Sequence, residues 1–117
     1  MIEILKPSEC PNWVIYPEAY LRLLNEQKHV FLPWYLFDEK EDILIRLEGL
    51  RVRYPKRKLF PFARRDDNDD VACWEADKPG KVVIIHDFAS AGWEQRQIFD
   101  NFEDWYKFAL SERWDDD

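Results

Sequence analysis

The spacing of apolar positions changes along the chain, and each change marks a new element. Over Pro17 to Gln27 (PEAYLRLLNEQ), Tyr20, Leu21 and Leu24 fall on one helical face, with Pro17 suited to the first turn. Val30 to Phe37 (VFLPWYLF) is a continuous apolar run too short for most helices, interrupted by Pro33, and reads as an edge strand or an irregular core segment. From Asp38 the acidic DEKED suits a helix N-terminus, and Ile43, Leu47, Leu50 and Tyr54 then recur at helical spacing. That helix should stop near Tyr54, because the residue before Pro55 is biased out of the α region; Lys56 to Lys58 follow its negative end.

Beyond Pro55 the pattern becomes that of strands: Leu59 to Ala63, Val71 to Glu75 and Lys81 to Phe88, separated by the turn-rich DDNDD and DKPG. These spacings predict an antiparallel three-strand meander with turns at Asp66 to Asp70 and Asp77 to Gly80. The unbroken β-branched run Val82 to Ile85 suits a strand covered on both faces, central in the sheet. A short strand over Gln95 to Phe99 then leads to Asp100 or Asn101 as N-cap of a last helix, whose Phe102, Trp105, Tyr106 and Leu110 form one face that docks on the sheet. The charged end, Asp115 to Asp117, is expected to fray. The fold class is α+β: an antiparallel sheet of about four strands, flanked by N-terminal helices and a C-terminal helix, in one domain spanning residues 1–117.

Composition fits this picture. The 117 residues are 46% hydrophobic and include six Trp and eight Phe but only three Gly, so large rings carry much of the buried area. The formal net charge of -7 sets the class of partner. Such a surface repels phosphate backbones and anionic headgroups, which argues against nucleic acid and membranes. It favours a basic protein partner, although net negative charge also simply keeps a domain dissolved. Met1 to Lys6 lacks the basic and apolar segments of a secretion signal, and Cys10 and Cys73 read as reduced thiols, so the expected setting is cytoplasmic.

Candidate chemistry is sparse. In RRDDNDD, Asp66, Asn68 and Asp70 take positions 1, 3 and 5 of a calcium-loop spacing and Asp77 takes position 12. Val71 stands where that loop needs Gly, and the flanks read as strands, so the expectation is a hairpin loop in which Asp and Asn side chains satisfy local amides, with Asn68 able to take left-handed backbone. His29 and His86 have no third imidazole or clustered cysteine beside them, and no metal or cofactor is expected. His86, Asp87 and Ser90 lack a nucleophile-elbow pattern, so no catalytic residue is assigned. Trp93 follows Ser90-Ala91-Gly92 and is either a lid over the core or an exposed anchor; the usual burial of tryptophan favours the lid.

Leu59-Phe60-Pro61-Phe62-Ala63, the polar loop to Asp70, the strand Val71 to Glu75, the run Val82 to Asp87 and Ile98 to Trp105 together resemble the SUKH superfamily, with a weaker match over the first half of the chain. The family is named for a fungal cell-wall-synthesis regulator and for bacterial immunity proteins of polymorphic toxin systems. This chain has Asn68-Asp69 where the family often has Gly-Asp, and its N-terminal helical part is short. The resemblance implies a non-enzymatic domain that binds and neutralises a toxin, such as a nuclease or deaminase; the alternative is a regulatory scaffold domain. In this reading Asp66, Asp67, Asp69 and Asp70, with Trp93 and Glu94, form the face that meets a basic toxin domain.

Overall fold

A computed structural model describes residues 2–114; the expected frayed end at residues 115–117 lies outside them. After a 3-10 turn at Pro7–Glu9 come α1 (Glu18–Asn25), β1 (Val30–Phe31), β2 (Trp34–Leu36), α2 (Lys40–Arg53), β3 (Leu59–Arg65), β4 (Asp70–Glu75), β5 (Lys78–His86), β6 (Gln95–Phe99) and α3 (Phe102–Ser111). The strands form one antiparallel sheet in the order β1-β2-β3-β4-β5-β6, each paired with its neighbour in sequence.

The sheet therefore has six strands rather than about four. The extra pair comes from the Val30 to Phe37 run, which a turn at Leu32 and Pro33 folds into a hairpin, with β1 at the sheet edge and β2 on β3. Phe31, Trp34 and Leu36 from this hairpin are buried. The second expected turn also moves. Pairing of Glu75 with Lys78 puts a tight turn at Ala76 and Asp77, and Pro79 and Gly80 fall inside β5, where the register slips and Gly80 takes φ 79°. A side chain is strained at that φ, which is why the irregularity holds a glycine.

The helices follow their capping chemistry. In α2, Glu41 and Asp42 sit in the first turn and Arg51 and Arg53 in the last, matching the helix dipole, and Tyr54 before Pro55 ends it. In α3, Asn101 rather than Asp100 is the N-cap, its side chain accepting the Asp104 amide at 2.8 Å.

Each face of the sheet is covered. On one face Phe60, Phe62, Ala72, Trp74, Val82 and Ile84 pack with α1, α3 and the β1–β2 hairpin. Trp105 of α3 is fully buried there, edge-on to Trp34 and Phe62, so the last helix docks as its pattern implied. On the other face Leu59, Val71, Cys73, Val83 and Ile85 meet Leu50 from the C-terminal half of α2 and Tyr54, which caps it. Val82 to Ile85 is fully buried and β5 is an interior strand, the outcome expected of a continuous β-branched run. Burial drives the Cys73 thiol pKa well up, so it sits there as a small apolar group. Among the described residues no helix is long and apolar enough to cross a membrane.

Candidate functional site

The antiparallel order brings the β1–β2 turn, the β3–β4 tip and the β5–β6 loop to one end of the sheet. Backbone bonds tie them together: the Asp66 amide donates to the Pro33 carbonyl at 2.7 Å, and the Asp87 amide to the Asp69 carbonyl at 3.0 Å. The predicted site residues thus gather at the same end, in unequal roles.

At the β3–β4 tip, Asn68 does not take left-handed backbone; its Oδ1 instead accepts the Asp70 amide at 2.8 Å, an Asx turn that shapes the loop. The tip is not four free carboxylates. Asp67 accepts from Arg65 at 2.8 and 3.0 Å, which holds its pKa below the usual aspartate range. Asp70 Oδ1 lies 2.8 Å from His86 Nδ1. Asp66 and Asp69 are the two without a cationic side chain within ion-pair distance among the described residues, and both are exposed.

The β5–β6 loop is built around Asp87, whose side chain is fully buried. It accepts from Arg46 at 2.7 Å, twice from Arg53 at 2.7 Å, and from the Phe88 amide at 2.8 Å. Burial pushes its pKa up, but the bonds from Arg53 and Arg46 outweigh this and hold the carboxyl below the aspartate range. Arg53 reaches Asp87 by lying across Gly49, where a Cβ would stand 2.5 Å from its guanidinium. A mid-helix glycine costs about 1 kcal/mol relative to alanine, and here it makes room for that crossing. Tyr54 Oη donates to the Ala89 carbonyl at 2.8 Å and secures the loop from below.

With Asp87 held inward, the next residue is forced out. Phe88 has φ 68°, a sparsely populated region for a bulky residue, and is 62% exposed, with the Arg53 guanidinium stacked 4.0 Å from its ring centroid. Trp93 is not a lid: it is 81% exposed. Gly92 at φ 98° and the bond from the Trp93 amide to the Ser90 carbonyl turn the chain so that the indole points away from the core. Glu94 is buried and does not belong to an open acidic face. It accepts from the Gly92 amide at 2.6 Å and from Arg57 at 3.0 Å, and Arg57 also clasps Glu75 at 2.7 and 2.9 Å. Leu32 and Trp114, joined by the Trp114 amide donating to the Leu32 carbonyl at 2.8 Å, add partly exposed apolar surface at this end.

His86 faces Asp70, while Asp87 is fully engaged by arginines, so the carboxylate next to the histidine in sequence does not orient it. Among the described residues, no three His, Cys, Asp or Glu side chains gather in a way that could hold a metal ion. What the end of the sheet offers is a firmly braced loop that exposes Phe88 and Trp93 at the same end as Asp66 and Asp69. Sequence reasoning missed Arg46, Gly49, Arg53 and Arg57, which brace it. The chain matches no family model, no curated protein and no solved structure.

Proposed function

We propose that this chain is a non-enzymatic protein-binding domain of the immunity type, which binds and neutralises a basic toxin domain through the loop end of its sheet. The observation that carries the reading is the exposure of Trp93 and Phe88 on a loop anchored by the buried Asp87. Large exposed aromatics on a rigid support are the residues that dominate binding energy at interfaces. A loop ordered in advance loses little entropy on association. Asp66 and Asp69, without an ion-pair partner among the described residues, on a chain of net charge -7, supply the field that speeds encounter with a cationic surface such as a nuclease groove. The SUKH-like sequence pattern over Leu59 to Trp105 points the same way.

The test is direct. The product of the adjacent gene, expressed with this chain, should lose its toxicity and form a complex that survives gel filtration. Trp93→Ala should weaken that complex by at least about 2 kcal/mol, the cost of losing an interface hot spot. A toxic neighbour that this chain neither binds nor silences would refute the immunity reading, and weak binding to several unrelated proteins would favour the scaffold role.

A further inference from the structure

We propose that the cleft between α2 and the sheet is a binding site for a small organic oxyanion, a phosphate monoester or a carboxylate carried on a flat ring. The cleft has a volume of about 460 Å³ and lies between the outer part of α2, β2, the end of β3 and the projecting Phe88. That size lies within the range of small-molecule sites. Its lining joins residues of two chemistries: Arg46, Arg53 and Arg64, and the aromatic Tyr35, Phe37 and Phe88.

The arginines are not equivalent. Arg46 and Arg53 are spent in part on Asp87, which fixes them in place. Arg64 is different. Arg22, Arg51, Arg57 and Arg65 each meet a carboxylate, as do Arg46 and Arg53, but half-buried Arg64 has none within ion-pair distance among the described residues. Its Nε donates to the Arg65 carbonyl at 3.2 Å, which orients the group and leaves both terminal nitrogens without a partner among the described residues. A planar fork of N–H donors matches the two oxygens of a phosphate or carboxylate. Asp87 behind the wall, Asp42 at the rim and Asp69 near Arg53 offset much of the charge of Arg46 and Arg53, so the pull on an anion comes from Arg64, which meets no carboxylate among the described residues. Tyr35 and Phe88 then give the ring of the ligand a surface to lie on.

The cleft shares Phe88 and the Asp87-held arginines with the loop end, but its anion-binding chemistry does not depend on the toxin-binding reading. Calorimetric titration of the full chain with phenyl phosphate, inorganic phosphate, benzoate and phenol tests it. Phenyl phosphate or benzoate should bind while phenol does not, and whichever of the two binds more tightly identifies the oxyanion. Phenyl phosphate, if it is the one, should bind more tightly than inorganic phosphate, and Phe88→Ala should remove that difference. Arg64→Gln, which breaks no ion pair among the described residues, should weaken binding about tenfold or more with an unchanged circular dichroism spectrum. Failure of both aromatic anions to bind at about 10 mM, or an Arg64→Gln protein that binds as the parent does, would overturn the assignment.

Discussion

Replacing Asp87 tests how the β5–β6 loop is held. The carboxylate is fully buried and takes three guanidinium bonds at 2.7 Å besides the Phe88 amide. Asp87→Ala leaves Arg46 and Arg53, themselves mostly buried, facing each other with no counter-charge. Stranding charges in this way costs about 3–5 kcal/mol, a large share of the total stability of about 5–15 kcal/mol expected for a domain. Asp87→Asn keeps the volume but not the charge and turns an amide N–H₂ toward a guanidinium, so a loss of at least about 2 kcal/mol is expected. Urea titration at pH 7 measures both, with the slope m serving as the check that the unfolded state is unchanged. Because the pair is buried, adding 1 M NaCl, where the screening length is about 3 Å, should leave the difference between parent and variant intact. A loss under about 1 kcal/mol for Asp87→Ala would refute the view that this carboxylate anchors the loop.

Other outcomes follow from the same geometry. Trp105→Ala should cost about 3–5 kcal/mol in the same titration, since the ring is fully buried against Trp34 and Phe62. Gly49→Ala should stabilise an Arg53→Ala protein by about 1 kcal/mol but not the parent, where the added methyl displaces the guanidinium from Asp87. Asp87, Glu75 and Glu94 all have pKa values held below the ordinary 3.8 and 4.5. Their contribution is complete above those values and lost as pH falls through the lowered ones, so the urea midpoint should drop below about pH 4, less steeply in Asp87→Asn. Asp66→Asn with Asp69→Asn should slow association with the partner and flatten its salt dependence in stopped-flow measurements, with little change in dissociation.

Much of the architecture was legible because single segments carried it. Val82 to Ile85 announced an interior strand by its composition, and Phe102, Trp105 and Tyr106 announced the docked helix by their spacing. The β1–β2 hairpin was harder to read, since VFLPWYLF offers no Gly or Asn at its turn and no alternation of apolar and polar residues. The site was less legible still. Asp87 meets Arg46 and Arg53 across 41 and 34 positions, a separation that local pattern cannot report. A trace existed in α2, where two arginines seven apart flank a glycine on one helix face. Trp93 misled because average burial says nothing about a loop turned outward by Gly92.

The strictly sequential strand order has a consequence for synthesis on the ribosome. The strands from β3 to β6 pair across short connections, so their hairpins can close as soon as each strand emerges, with little loop entropy to overcome. The β1–β2 hairpin is made first but finished last. Its core-facing Phe31 and Trp34 pack on Trp105, and Trp34 Nε1 bonds Glu112 at 3.0 Å, both from the stretch that follows β6. Until that stretch leaves the exit tunnel, the nascent protein carries an uncovered aromatic hairpin beside a nearly complete sheet. A product that terminates before Trp105 keeps this hairpin exposed, with a strand edge open to pairing with other chains.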